Sequence, residues 1–237
     1  WQGEELGRPI PASPHAVSVA LPRWQDVVGY EEKTPEVVNA LTSGYPRFFI
    51  HAEVKELARQ IAHERIKPIR AQLDEEEIFP WDIMSHLAQA DLCGTVIPEA
   101  YGGLELGCLE NCLVLEALAE GCVGVATTYA ATFLGAFPLM LFGSHEQKRQ
   151  FLPAMARGEV IGAFALTEAQ AGSDAGAIAT TAVKDGNAYV LNGTKQWITN
   201  AGEAQFNTII ALTDRSKGAR GASAFIVEKS DPGVSFG

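Results

Sequence analysis

Apolar positions recur at three- and four-residue spacing from residue 50 to about 157, then give way to the short alternating runs of strands. Val54, Leu57, Ala58, Ile61, Ala62 and Ile66 form one stripe with charges between them, which predicts an amphipathic helix that loosens at Pro68. Pro80 opens a second helix to about Leu92, with Ile83, Met84, Leu87 and Ala88 on its stripe. Pro98-Glu99-Ala100-Tyr101-Gly102-Gly103 is a turn cluster. Leu109 to Ala119 is apolar nearly all round and predicts an interior helix. Val123 to Phe142 is apolar but broken by Thr, Gly and Pro, and reads as a buried helix rather than a membrane span. Ser144-His145-Glu146-Gln147 has the form of a capping box, starting a helix that ends near Gly158.

Beyond Gly158 the period is that of strands. Val160 to Leu166 is a short apolar run, and Thr180 to Lys184 and Tyr189 to Leu191 flank the hairpin signal Asp185-Gly186-Asn187. Thr208 to Leu212 and Ala222 to Val227 read as further strands around a loop at Asp214 to Gly221. The expected fold class is therefore α+β: an all-α helical domain over 49–158, followed by an antiparallel β domain, a sandwich or barrel, over 159–237. Residues 1–48 hold six of the twelve prolines and read as an extended arm.

Composition narrows the function classes. Hydrophobic residues make up 47 % and charged residues 20 % of the 237, an ordinary globular balance. A net charge of −11 argues against nonspecific binding to nucleic acid or an anionic membrane. No basic start followed by an apolar run marks a secretory signal. Cys93, Cys108, Cys112 and Cys122 lack a CxxC pair or a histidine partner spacing. They are read as buried thiols in a reducing compartment, with no metal site. The run Asp74-Glu75-Glu76-Glu77 reads as a solvated loop between helices, and the five histidines are scattered.

Candidate chemistry sits in two stretches. Phe164 to Asp174 leaves a strand at Thr167 and ends in small residues whose backbone N–H groups can face an anion. Trp197-Ile198-Thr199-Asn200 adds an aromatic face and another hydroxyl. Together they suggest a planar, hydrogen-bonding, phosphate-bearing ligand. No G-x-G-x-x-G or G-x-S-x-G is present, and no His completes a triad with Ser173 and Asp174, whose carboxylate reads as a turn or cap acceptor.

Four motifs in this order resemble the acyl-CoA dehydrogenase family of flavoproteins. Ala165-Leu166-Thr167-Glu168-Ala169-Gln170-Ala171-Gly172-Ser173-Asp174 is similar to its A-L-T-E-P-x-A-G-S-D, with Ala169 in place of the proline. Asn192-Gly193-Thr194-Lys195-Gln196-Trp197-Ile198-Thr199-Asn200 is similar to N-G-x-K-x-W-I-T-N. Ile97-Pro98-Glu99-Ala100-Tyr101-Gly102-Gly103 and Gly143-Ser144-His145-Glu146-Gln147-Lys148 match its turn and helix-start motifs.

The resemblance implies FAD between the helical and β domains and α,β-dehydrogenation of an acyl-CoA thioester, with hydride passing to flavin N5. Thr167 would bond the pyrimidine edge, helped by backbone groups of Phe164 and Leu166. Trp197 and Ile198 would lie against the flavin and Thr199 would approach N5. Gly172 and Ser173 would meet a phosphate region, with Ser173 also contacting acyl-CoA. An electron-transfer flavoprotein would take the electrons, and a homotetramer would sit in the cytoplasm of a bacterium or the mitochondrial matrix of a eukaryote.

The general-base glutamate and a four-helix domain are expected beyond Gly237. No catalytic residue is thus assigned in this chain, which is expected to be colourless and inactive alone. Glu99 and Glu168 are read as structural. An acyl-CoA oxidase, a flavin monooxygenase relative and a non-catalytic interaction module are the alternatives.

Overall fold

The computed structural model describes residues 46–237, with side chains from His51 onward. The arm expected over residues 1–48 lies outside the described residues, except that a helix already begins at Pro46. That helix, α1 (Pro46–Ile61), runs into one π-helical turn (Ala62–Ile66) before α2 (Arg70–Glu75). The acidic run is therefore partly helical rather than all loop: Asp74 and Glu75 close α2, and the four carboxylates are exposed. Helix α3 (Trp81–Gln89) starts directly after Pro80, which supplies an N-cap with no N–H to leave unpaired. Two short 3-10 turns, Leu92–Gly94 and Glu99–Tyr101, lead to α4 (Cys108–Gly121), α5 (Val123–Phe142) and α6 (His145–Ala156). The capping box at α6 is complete: Ser144 Oγ accepts from Gln147 N, and the Gln147 side chain accepts from Ser144 N.

One apolar cluster ties α1 to α3, α4 and α5, and a second joins the end of α5 to α6 and Phe206. Ala58, Ile61 and Ile66 meet Ile83, Met84 and Leu87 of α3, Val114 and Leu118 of α4, and Tyr129 and Phe133 of α5. The expectation for α4 needs correction. Its buried stripe includes Glu110 and Asn111, whereas Leu109, Cys108 and Cys112 are exposed. Glu110 tolerates burial because His51 of α1 lies 2.7 Å from its Oε1 and the N–H groups at the start of α4 face it. Every fourth residue after His51 continues this ladder along α1 and into the π-helical turn: Lys55 pairs with Glu116 at 2.6 Å, and Arg59 and His63 face Glu120 at 3.2 and 3.6 Å. Of the cysteines, only Cys93 is fully buried.

Helix α5 joins the helices to the sheet. Among the described residues it is the one helix long and apolar enough to cross a membrane, and 56 % of its most apolar window is buried inside the protein. A Cβ at Gly135 would meet the backbone N and O of Ala163 at 2.7 Å, so a glycine there brings α5 onto the strand backbone. Thr208 Oγ1 then donates to Gly135 O at 2.7 Å.

Five strands form the β part: β1 (Gly162–Ala165), β2 (Thr181–Asp185), β3 (Ala188–Asn192), β4 (Phe206–Leu212) and β5 (Ala222–Glu228). Helical part followed by β part holds as expected. The sheet, however, is mixed rather than antiparallel, and the described strands make a single sheet. Strand β4 is central: β5 runs antiparallel along one edge, while the other edge takes β1 in parallel at its start and β2 in parallel at Leu212. The β2–β3 hairpin keeps the antiparallel pairing its Asp185-Gly186-Asn187 turn demands, with Gly186 at φ 57°, and β4–β5 is antiparallel too, so the departure lies in the two parallel pairings of β4. The reason is the long return from residue 166 to 205, which brings the chain back to the same end of β1 before β4 begins.

Candidate functional site

Strand β1 delivers the first stretch. Its last residues carry Phe164, half-buried, to Leu166 and Thr167, after which the chain folds on itself: Glu168 N donates to Ala171 O at 3.1 Å and Ala171 N returns the bond at 3.0 Å. This tight turn points the Glu168 carboxylate inward. It accepts four hydrogen bonds: from Lys195 Nζ at 2.7 Å, Gln170 Nε2 at 2.7 Å, Ala179 N at 2.6 Å and Thr180 N at 3.0 Å. Burial alone would raise this carboxyl, but the Lys195 ammonium and the N–H donors outweigh it and hold it at about 2. A carboxylate so engaged has no free lone pair and little basicity, so it cannot serve as a general base. The structural reading of Glu168 follows from its partners.

Lys195 also donates to Leu166 O at 2.9 Å, and Gln196 N donates to Thr167 O at 2.8 Å. These bonds lay the second stretch alongside the first. A Cβ at Gly193 would collide with Thr180, so the glycine lets the segment after β3 pass close. Next to this seam, an open groove of about 300 Å³ lies between the Glu168–Gln170 turn, Ala179–Thr180 and the Gly193–Gln196 segment.

Trp197 follows the seam with φ 59° and an indole 84 % exposed. A bulky aromatic in the left-handed region is a strained conformation, of the kind that concentrates at ligand sites. Ile198 is half-buried against the helical core, while Thr199 is exposed. Asn200 is buried, and its side chain reaches α5 and β1.

The structure therefore brings Phe164, Leu166 and Thr167 together with the Lys195–Thr199 loop. Gly172 and Ser173 lie on the exposed segment after the turn, and among the described residues no hydrogen bond joins them to the Trp197 loop. They lead instead into the turn Ala175–Ala177, which packs against the loop Asp214–Gly221. Asp174 accepts from Ala177 N through its backbone carbonyl, and its carboxylate makes no cap bond, contrary to expectation. Sequence reasoning left out Lys195 and Asn200, although both stand inside the quoted motifs. For Asn200 the signal was its residue type, since Asn tolerates the left-handed region; for Lys195 it was membership of the motif alone, because the burial of Glu168 is set by the fold.

Residues 50–159 match the acyl-CoA dehydrogenase N-terminal domain and residues 163–237 the acyl-CoA dehydrogenase middle domain. The chain is 41 % identical over 186 residues to the acryloyl-CoA reductase (NADH) of Anaerotignum propionicum, covering 78 % of this chain and 47 % of that protein. It superimposes on the butyryl-CoA dehydrogenase of Megasphaera elsdenii with a TM-score of 0.74 at 36 % identity, over 78 % of this chain and 49 % of that one. An acyl-CoA dehydrogenase from Bacillus anthracis, solved in complex with FAD, matches with a TM-score of 0.71 at 36 % identity, over 78 % of this chain and 32 % of that one. The chain thus spans about half the length of the curated relatives it matches. By its two domains, and by the motifs that meet at the Glu168–Lys195 seam, this chain belongs to the acyl-CoA dehydrogenase family.

Proposed function

We propose that this chain builds the flavin side of an FAD-dependent enzyme that interconverts an acyl-CoA thioester and its α,β-unsaturated counterpart. The observation that carries the reading is the loop at Trp197: an indole 84 % exposed, fixed in a strained backbone beside Thr167 and next to the Thr199 hydroxyl. An uncovered aromatic face flanked by hydroxyls suits a planar heterocycle with polar edges, and so fits FAD. Bound here, FAD supplies a hydride acceptor.

Thr167 would hold the polar edge of the ring, with backbone groups of Phe164 and Leu166 completing the set. Trp197 and Ile198 would cover one face and exclude water from it, and Thr199 would donate a hydrogen bond at the reacting edge. Gly172 and Ser173, exposed on their turn, would meet the phosphate-bearing part of FAD, and Ser173 the acyl-CoA. Electron-transfer flavoprotein is the proposed partner and a homotetramer the proposed assembly.

Full-length protein purified with FAD should show a flavin absorption band and oxidise butyryl-CoA with an electron-accepting dye. Failure to bind FAD refutes the proposal. Rapid reoxidation of the reduced protein by oxygen would redirect it to an oxidase.

A further inference from the structure

The strained loop has two anchors. One is the Lys195–Gln196 seam described above. The other is Asn200, which is 8 % exposed and whose backbone also lies in the left-handed region, at φ 71°. Its amide Nδ2 stands among three oxygens: Thr128 O of α5 at 2.8 Å, Thr132 Oγ1 of α5 at 3.3 Å and Gly162 O of β1 at 3.5 Å. Its own backbone carbonyl accepts from Glu203 N at 2.9 Å and Ala204 N at 2.7 Å, and Ala201 N closes back on Ile198 O at 3.1 Å. One side chain thereby touches the helix, the strand and the loop. The three residues Trp197, Ile198 and Thr199 are the span between the two anchors.

Asn200 Oδ1 is buried and accepts no bond among the described residues. The amide's bonds to the rest of the protein are those of its nitrogen. What the nitrogen does is tie the end of the loop to α5. Without that tie, the C-terminal side keeps only the local turn bonds at Ile198 and Asn200 and the packing of Ile198. None of these reaches α5 or β1 through a hydrogen bond, and Trp197 can relax toward negative φ, swinging the indole and moving Thr199.

We propose that Asn200 is a positioning residue for the cofactor face: its amide pins the loop to Thr128 and Gly162, keeps Trp197 in the left-handed conformation and sets where the Thr199 hydroxyl stands. The proposal rests on the flavin reading above. It assigns Asn200 no contact with the flavin.

The test uses full-length protein and two variants. Asn200→Gly accepts the left-handed backbone and removes the anchor. Asn200→Asp keeps shape and backbone preference but turns oxygens toward the oxygens of Thr128 and Gly162. In FAD-free protein, amide exchange at Ala201 should be about tenfold faster in both variants, while Gln196 stays protected by its bond to Thr167. With FAD, affinity should fall about tenfold, the scale of one lost hydrogen bond to a buried group, and the visible band should change shape. The Asn200→Asp affinity, relative to parent, should recover as pH is lowered, because a protonated carboxyl can again donate to Thr128 O. A role in fold stability alone would shift the unfolding midpoint with pH and leave the flavin affinity and band shape of the folded Asn200→Asp protein like the parent's. Parent-like flavin affinity and band shape in both variants overturn the proposal. If parent binds no FAD, the flavin reading fails by itself, and parent-like exchange at Ala201 then overturns the Asn200 anchor separately.

Discussion

Replacing Lys195 by methionine tests the seam that joins the two motifs. The Glu168 and Lys195 side chains are 3 % and 9 % exposed and 2.7 Å apart. The folded protein holds the Glu168 carboxyl at about 2 against an ordinary 4.5, which at about 1.4 kcal/mol per pKa unit corresponds to about 3 kcal/mol of stabilisation. Because the folded value lies below the unfolded one, that contribution is complete above pH 4.5 and drains away as pH falls toward 2. Lys195→Met leaves the carboxylate buried with three N–H donors and no cation, which should cost about 3–5 kcal/mol at pH 7. The double variant with Glu168→Gln removes the stranded charge and should recover more than 1 kcal/mol of that loss, roughly the coupling expected of groups in contact. Urea unfolding of FAD-free protein at pH 7 and pH 3 measures all three. A Lys195→Met deficit below about 1 kcal/mol at pH 7, or an equal deficit at both pH values, refutes the reasoning.

Thr199→Ala should alter the visible spectrum of the bound flavin and slow its reduction by acyl-CoA while leaving the unfolding midpoint in place; unchanged spectrum and rate together would count against its proposed position. His51→Ala strands the Glu110 carboxylate, whose burial is otherwise offset by helix-start N–H groups and His51; it should cost about 1–3 kcal/mol, read by urea unfolding. Since the Glu110 carboxyl is held below its ordinary value, the parent's advantage over that variant should shrink as pH falls through the acid range. Gly135→Ala drives a methyl into the Ala163 backbone at 2.7 Å and should cost about 1–3 kcal/mol, seen as a lower melting temperature.

Some of this protein was legible in its residues. The Ser144 capping box, the helix opening at Pro80, and the Gly186 hairpin each depend on contacts within a few positions, and each forms as read. The same is true of α5, whose length and apolar content marked a buried helix. The motifs flanking Thr167 and Trp197 were visible too, because their residue types are unusual in combination. What stayed hidden depends on partners far along the chain. Glu110 looked like a charge on an apolar helix until His51, 59 positions away, arrived beside it. Whether β1 pairs parallel or antiparallel with β4 is decided by the path of the forty residues between them, not by either strand. Trp197 read as an aromatic partner, but its left-handed backbone exists because Lys195 and Asn200 hold the loop at both ends. The sequence by itself determined the order and kind of the elements, the starts marked by caps and turns, and which residue types the site would use, since propensity, caps and turns are local energies. Tertiary structure alone decided the mixed sheet, the burial of Glu168 and Glu110, and the seam that sets two motifs side by side. Those outcomes follow from desolvation and pairing between residues that meet only after the chain has folded.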